Sequence, residues 1–157
     1  MKKVLIATIA TSLLLTGCAK RIPPVKKEIN NTFVSNLSYD KSWSKAVRVF
    51  AKHQIDIDTL EKDSGLIVAK YTQSYGANSG FMDCGKSARY EVLDSVNIKF
   101  NVFFDEKKEN ETEVMITATG QGVTYVTNAY GQKAPNTRKL VTCYSTGKFE
   151  RDFFNMM

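Results

Sequence analysis

The sequence predicts an α+β fold, in which an antiparallel sheet carries helices on one face and the elements follow the order β-α-β-β-β-β-α. Two stretches, residues 92–104 and 113–127, place apolar side chains at alternate positions, which is typical of strands with one buried face. Residues 41–52 instead repeat apolar side chains at i, i+3, i+4 and i+7, the spacing of an amphipathic helix. Together these observations favour a sheet with one wet face and helices packed on the other.

The N-terminus has the plan of a secretory signal peptide. Lys2 and Lys3 precede an apolar run over residues 4–15, which is too short to span a bilayer as a helix. The run ends in Leu-Leu-Thr-Gly-Cys at residues 14–18, which resembles the bacterial lipobox. This resemblance implies diacylglyceryl transfer to the Cys18 sulfur, cleavage before Cys18, and acylation (as by palmitate) of the new amino group. The alternative is an ordinary secreted protein whose signal peptide ends near a cysteine.

The residue after Cys18 bears on the membrane that holds the protein. It is Ala19 rather than Asp, which by similarity to enteric lipoproteins implies the outer membrane, lipid-anchored and facing the periplasm, with exposure at the cell surface as the alternative. Residues 1–17 are then the signal peptide, residues 18–31 a lipidated tether, and residues 32–157 a single periplasmic domain. The pair Pro23-Pro24 and the charges around it favour an extended tether that holds the domain a few nanometres from the bilayer.

Net charge limits the classes of partner. Removal of residues 1–17 would leave 140 residues and lower the formal net charge from +6 to +4, because Lys2 and Lys3 leave with the signal peptide. Only Lys20-Arg21 and Lys26-Lys27 are clustered cations, no motif typical of nucleic-acid binding stands out, and the expected compartment lacks nucleic acid, so nucleic acid is not an expected partner. A solvated juxtamembrane tether is the simpler interpretation of these pairs, and contact with anionic lipid head groups or an envelope polyanion is the alternative.

Two cysteines remain beside Cys18. Cys84 and Cys143 form an even pair, and in an oxidising compartment such a pair predicts a disulfide. Two free thiols or half of a metal site are the alternatives. His53 is the only histidine and no Cys-x-x-Cys spacing occurs, so neither a metal nor another cofactor is expected.

The first elements of the domain follow from local patterns. Residues 32–37 predict a short strand, and Asp40 is a plausible N-cap for a helix over residues 41–52. The helix carries one apolar stripe of Trp43, Ala46, Val47, Phe50 and Ala51. Residues 55–58 and 66–71 predict a β-hairpin around a turn at 62–65, with the Asp56 and Asp58 carboxylates directed outward.

This helix–hairpin unit carries a family resemblance. It reads Tyr39-Asp40, Trp43, Ala46-Val47, Phe50, Ile55-Asp56-Ile57 and then residues 62–71, Lys-Asp-Ser-Gly-Leu-Ile-Val-Ala-Lys-Tyr. The pattern resembles the helix-grip unit of certain bacterial outer-membrane lipoproteins, which include the C lipoprotein of the β-barrel assembly machinery and small relatives. In that family a helix with an aromatic residue near its start precedes a hairpin of this type. The resemblance implies a helix-grip-like sheet.

The rest of the chain alternates loops and strands. Residues 73–91 predict a long loop, which is either functional or tied down. Tyr75, Phe81, Tyr90 and Tyr130 form a candidate partner-binding surface, with aromatics that cover a sheet edge as the alternative. A charged turn is predicted over residues 105–110, and Gly120-Gln121-Gly122 predicts a bulge or a sharp bend. A loop over 128–138, a strand over 139–144 and a helix that begins at Thr146-Gly147 complete the chain.

The functional prediction is a binding protein rather than an enzyme. The chain has one histidine, and its two cysteines beside Cys18 are expected to be bonded to each other. The nucleophile and base arrangements of acyl-transfer enzymes are therefore not available, so no catalytic residue is assigned. The leading hypothesis is a non-enzymatic, lipid-anchored envelope protein, whose periplasmic domain binds or scaffolds a membrane-associated protein complex. The alternative is a small-molecule or lipid carrier with a cavity between helix and sheet. A hydrolase inhibitor and a hydrolase that uses only carboxylates are weaker alternatives.

Overall fold

Seven strands and two helices make up the part of the chain that the computed structural model describes, residues 20–74 and 80–157. The predicted signal peptide, Cys18 and Tyr75 lie outside the described residues. The elements are β1 Thr32–Ser35, α1 Tyr39–Lys52, β2 Asp56–Glu61, β3 Leu66–Ser74, β4 Met82–Asp83, β5 Glu91–Lys108, β6 Glu111–Val126, β7 Lys139–Ser145 and α2 Lys148–Met156. The fold is therefore mixed, with an antiparallel sheet and two helices, and the short strand β4 lies inside the segment expected to be a loop.

The strand order shows how the sheet is assembled. Neighbouring strands follow the order β2-β3-β5-β6-β7-β4, and β1 pairs with β6 beside this path. One edge of β6 serves two partners, since β1 pairs with residues 112–115 and β7 pairs with residues 119–124. Every pairing is antiparallel. The length of β6 thus brings the two ends of the domain together on one strand.

Strands β5 and β6 extend beyond their predicted limits. Their pairing continues to Lys108 and Glu111, so the tight turn is confined to residues 109–110 rather than spread over 105–110. Lys107 explains the extension, because its Nζ lies 2.5 Å from Asp105 Oδ2 and 3.1 Å from Glu113 Oε1. The Lys107–Glu113 pair crosses from β5 to β6, whereas the Lys107–Asp105 pair lies within β5, and the cross-strand pair stabilises the solvated end of the hairpin.

Helix α1 begins earlier than its sequence pattern suggests. Ser38 is the N-cap residue and Tyr39 the first helical residue, so the assignment of Asp40 as N-cap was wrong. Asp40 instead lies in the first turn, where a carboxylate suits the positive end of the helix dipole, and pairs with Lys62 at 2.8 Å. Ala51, expected on the apolar stripe, is exposed because the buried stripe runs through Trp43, Ala46, Val49 and Phe50.

The core consists of aromatic rings packed between the helices and one face of the sheet. Phe100 of β5 stacks on Phe149 of α2 with 4.0 Å between ring centroids. Phe50 of α1 approaches Phe153 of α2 at 5.5 Å, so both helices meet over the same strand. All four rings are buried. Aromatic pairs at these separations add about 1 kcal/mol each beyond the burial of their surface.

Gly120 and Gly122 lie in an unbroken part of the sheet. Their register runs regularly against Ile98 and Val96, so the structure has no bulge at these glycines, in contrast to the first of the two predicted alternatives. A Cβ atom at Gly122 would lie 2.8 Å from Val141 Cγ2 and 2.9 Å from Leu93 Cδ1, and one at Gly120 would lie 3.0 Å from the Cys143 Cβ. The glycines are needed for close packing of neighbouring side chains, since the register shifts of this hairpin occur elsewhere, between Leu93 and Ser95 and near Lys108.

Candidate functional site

The residues of the candidate aromatic surface separate into different parts of the molecule. Phe81 is half-buried and packs edge-on against Phe149 at 5.3 Å, so it belongs to the border of the core. Tyr90 and Tyr130 are 45% and 90% exposed. They lie near each other in the fold, because Thr127, at the end of β6, hydrogen-bonds the Tyr90 carbonyl at 2.8 Å. Of the described members of the candidate surface, these two are the exposed ones.

Cys84 and Cys143 are joined by a disulfide. Cys143 lies on β7, and Cys84 directly follows β4, the strand that pairs with the end of β7. Both cysteines are buried, and the bond faces Gly122, whose missing side chain leaves room for the Cys143 sulfur. The disulfide thereby holds the segment around Cys84 against the last strand.

The segment that follows Cys18 is attached to the domain, in contrast to the tether expected over residues 18–31. Ile22 and Lys86 exchange backbone hydrogen bonds of 3.0 and 2.9 Å. Gly85 permits this approach, because a Cβ atom there would lie 2.2 Å from the Ile22 carbonyl oxygen. Further along, the Asn31 carbonyl accepts a bond from the Ile116 amide at 2.8 Å. The segment over residues 20–31 is therefore part of the folded unit at both ends.

Arg21 and Glu91 form the ionic part of this attachment. Arg21 Nη1 lies 2.9 Å from Glu91 Oε2, and its other terminal nitrogen donates to the Cys84 carbonyl. Burial by itself would raise the pKa of Glu91. Hydrogen bonds from the Ala88 amide and from Arg21 outweigh that effect and hold the pKa below its ordinary value. The ionised carboxylate is thus a structural partner of the N-terminal segment.

Exposed cations surround the same end of the sheet, which we call the basic end. They lie on residues 20–22, on residues 85–90 before β5, on the loop between β6 and β7, and at the start of β7, and comprise Lys20, Lys86, Arg89, Lys133, Arg138 and Lys139. Within the described chain, only Lys133 of this group forms a salt bridge, to Asp94 at 3.1 Å. Arg89 lies over the Tyr90 ring at 4.9 Å. Charge of one sign is therefore concentrated here beside Tyr90 and Tyr130.

The opposite end of the sheet has the opposite charge. The turns β2–β3 and β5–β6 and the start of α1 lie there, and we call this the acidic end. Its carboxylates are Asp40, Glu61, Asp63, Asp105, Glu106, Glu109, Glu111 and Glu113, against the cations Lys41, Lys62, Lys107 and Lys108. A molecule with a modest net charge is thus strongly polarised along its strands.

A second surface lies on the face of the sheet away from the helices. Leu66 of β3, Phe103 of β5 and Met115 of β6 stand opposite one another in register, with Val34 of β1 diagonal to Met115. Phe103, Met115 and Val34 are 41%, 36% and 50% exposed. The sequence signal for this apolar row is Phe103, an aromatic among the otherwise polar alternate positions Asn97, Lys99 and Asn101.

A groove lies beside β6, between the residues that precede β1 and the end of β7. Its volume is about 400 Å³, and Ile29, Ala118 and Gly120 contribute to its lining. Lys26 and Lys27 lie at its border with the hydroxyl-bearing residues Thr142 and Tyr144. The pair of lysines expected on a solvated tether is therefore held beside a pocket.

The described residues include few side chains placed for metal binding or acid–base catalysis. Over residues 20–74 and 80–157, no three His, Cys, Asp or Glu side chains are placed to share a metal ion. His53 follows α1, and its Nε2 lies 3.0 Å from Met156 Sδ at the surface. Among the helices that the structure describes, none has both the length and the apolar composition to cross a membrane.

Comparisons of the chain with protein-family models, with curated proteins and with solved structures found no match.

Proposed function

We propose that this chain is an outer-membrane lipoprotein, anchored through acylated Cys18, whose periplasmic domain binds a component of a membrane-associated protein complex. The observation that carries the binding role is the apolar row of Leu66, Phe103 and Met115 with Val34. No described helix packs on this face, and exposed apolar patches of this kind commonly mark protein interaction sites. The role is non-enzymatic and needs no cofactor.

The proposed family relationship is with the helix-grip lipoproteins. Helix α1 precedes the hairpin of β2 and β3, and Gly65 occupies the turn with a φ of +70°, a backbone conformation that favours glycine. A side chain at Gly65 would clash with the Phe104 carbonyl, which supports a specific role for the Asp-Ser-Gly turn in holding the hairpin against β5. This agreement concerns packing, and the partner complex is inferred from the exposed face.

The test is a photocrosslinking amino acid placed at Phe103 in the acylated protein in intact cells. We expect recovery of one envelope protein in stoichiometric amount, because the side chain at position 103 is exposed at the centre of the apolar row. The matched control carries the crosslinker at Lys52, an exposed position of α1 on the other side of the sheet. Equal products from both positions, or none from position 103, would refute the binding role of this face.

The anchor is tested separately by metabolic labelling with a palmitate analogue. The wild-type protein is expected to incorporate the label and to fractionate with the outer membrane. Cys18→Ser removes the acceptor sulfur and should abolish the incorporation. Labelling that persists in Cys18→Ser would contradict an anchor at this residue.

A carrier function is the second candidate, and the edge groove is the observation that favours it. The position foreseen for a carrier cavity, between helix and sheet, is filled by Phe50, Phe100, Phe149 and Phe153 in the described structure. The groove bordered by Lys26 and Lys27 suits a small amphiphilic anion instead. Native mass spectrometry of protein extracted from membranes should show a bound mass that is lost in Lys26→Ala/Lys27→Ala, if the protein is a carrier.

A further inference from the structure

We propose that the basic end of the domain docks directly on an anionic lipid surface, so that the domain stands upright on the membrane with its acidic end pointing away. This inference rests on the proposed Cys18 anchor and adds a second, electrostatic contact to it. The contact uses exposed cations and the aromatic side chains Tyr90 and Tyr130. Charge complementarity, the point where the anchor joins the domain, and the aromatic composition each support a lipid surface as the occupant.

The anchor leaves almost no distance between the domain and the bilayer. Residue 20 is already beside the domain, because Arg21 and Ile22 are bonded to Glu91 and Lys86. Only Ala19 separates Cys18 from Lys20, and an extended chain spans at most about 3.6 Å per residue. Lys20 is then at most about 7 Å along the chain from the acylated residue. That span is shorter than the Debye length of about 8 Å at physiological ionic strength, so Lys20 can interact with lipid charges, and the rest of the basic end is brought towards the same surface.

The attachment also fixes which end faces the lipid. The paired backbone bonds between Ile22 and Lys86 and the close contact of Gly85 with Ile22 prevent the segment from acting as a loose hinge at these residues. Strand β5 runs away from this end for 18 residues, on the order of 50 Å of strand. The carboxylates around Glu109 are therefore several Debye lengths from the lipid surface, so their electrostatic repulsion from anionic lipid is small.

The distribution of cations suits a planar anionic surface. Lys86, Arg138 and Lys139 come from two separate segments, and all three are exposed without a salt bridge to a described residue. A groove that recognises one small anion gathers its donors at a point, whereas these side chains are spread around the end of a sheet. Each cation near an anionic membrane strengthens binding about fivefold, so a group of them acts cumulatively.

The exposed tyrosines favour lipid over a soluble polyanion. Tyr130 occupies the tip of the loop after β6 and is 90% exposed, although Asn128 holds the surrounding turn through bonds to the amides of Tyr130 and Gln132. Tyr rings are enriched at membrane–water interfaces, where the ring meets the head-group region and the hydroxyl stays hydrated. A rigid turn that presents such a ring beside cations is suited to this boundary.

The experiment places a fluorophore at the tip of the basic end of the acylated full-length protein. Tyr130→Cys supplies the labelling site, since Cys84 and Cys143 are bonded and Cys18 is acylated. The protein is reconstituted in vesicles of phosphatidylcholine alone or with phosphatidylglycerol, both containing a lipid with a quenching head group. We expect strong quenching in the phosphatidylglycerol vesicles, weak quenching in neutral vesicles, and loss of the difference at high salt. A label at Glu109→Cys, at the acidic end, should stay unquenched in both.

Two triple variants that lower the net charge by the same amount test whether docking depends on the basic end or only on the net charge of the protein. Lys86→Ala/Arg138→Ala/Lys139→Ala should lower the ratio of docked to undocked protein on the order of 100-fold. Lys41→Ala/Arg48→Ala/Lys52→Ala, on the exposed face of α1, should leave the ratio nearly unchanged. Equal losses in both variants would overturn the proposal, as would quenching at position 109 that matches position 130.

Sedimentation with the vesicles separates this proposal from the anchor. Protein that sediments with neutral vesicles but shows no charge-dependent quenching would overturn the docking and leave the anchor standing. Protein that sediments only with phosphatidylglycerol vesicles, and loses this binding in the first triple variant, would refute the anchor and support the basic end. Absence of sedimentation with either vesicle would overturn both.

Discussion

Ser145 connects a buried carboxylate to the first turn of the last helix. Its Oγ donates to Glu150 Oε2 at 2.8 Å and accepts a bond from the Gly147 amide at 3.1 Å. Glu150 is fully buried, and its other oxygen, Oε1, has no hydrogen-bond partner among the described residues. The hydroxyl of Ser145 is therefore the side-chain donor on which this carboxylate depends.

We expect Ser145→Ala to lower the free energy of unfolding by about 1 to 3 kcal/mol, because a buried carboxyl group loses a hydrogen-bond partner and an amide loses its acceptor. Urea unfolding measures the change. Ser145→Thr keeps the hydroxyl and should retain much of the stability, while Ser44→Ala, at an exposed position of α1, should change it by less than about 0.5 kcal/mol. If Ser145→Ala loses no more free energy of unfolding than Ser44→Ala, the hydrogen bonds of Ser145 contribute nothing to stability.

At the scale of elements, the disulfide joins the short strand β4 and its neighbouring segment to β7. Strand β4 contributes only two residues of pairing, which is little support for the residues that precede β5. The residues bonded to Ile22 and Arg21 lie in the same region, at Lys86, Cys84 and Glu91. The covalent bond therefore positions the part of the chain that receives the N-terminal segment.

We expect Cys84→Ala/Cys143→Ala to lower the free energy of unfolding by about 4 kcal/mol, since the disulfide bridges a sequence separation of 59 residues. Chemical denaturation of the variant, compared with wild type under oxidising and reducing conditions, measures this loss. Reduction of the wild type should reproduce most of the effect, and the variant should not respond to the reductant. A variant as stable as oxidised wild type would contradict the role given to the disulfide.

In the molecule as a whole, the uneven charge distribution and the attachment of residues 20–31 are linked through the same ion pair. The basic end contains the Arg21–Glu91 pair, and the pKa of Glu91 lies below its ordinary value of 4.5. A lowered carboxylate pKa stabilises the folded state above the unfolded pKa, and this contribution is lost as the pH falls through the folded pKa. The attachment is therefore acid-sensitive below about pH 4.5 and stable at neutral pH.

We expect wild type to exceed Glu91→Gln in stability by about 2 kcal/mol at neutral pH, the scale of a hydrogen bond to a charged group. The difference should stay constant down to about pH 5 and narrow below pH 4.5, as the wild-type carboxylate becomes protonated. Thermal unfolding of both proteins over a pH series measures it. A gap that widens in acid would contradict the sign of the shift.

Much of the fold could be predicted because its signals are local. The alternation over β5 and β6, the helical stripe of α1 and the Asp-Ser-Gly turn each lie within a few residues of one another. Side-chain period determines which face of an element is buried, whatever packs against it. The pairing of Cys84 with Cys143 was predicted from the cysteine count, and the structure contains that disulfide. Tyr90 and Tyr130, predicted as part of a partner-binding surface, have exposed side chains.

Tertiary structure decided what depends on contacts between distant residues. The sequence alone determined a sheet with one buried face and a lipobox-like motif at Cys18, whereas local composition led to a predicted tether over residues 18–31 and left Phe81 either on a partner-binding surface or covering a sheet edge. Only the fold brings Arg21 to Glu91, Gly85 to Ile22 and Phe81 to Phe149. Glycine and arginine carry no periodic signal for such contacts, so the basic end emerges only when segments remote in sequence meet at one end of the sheet.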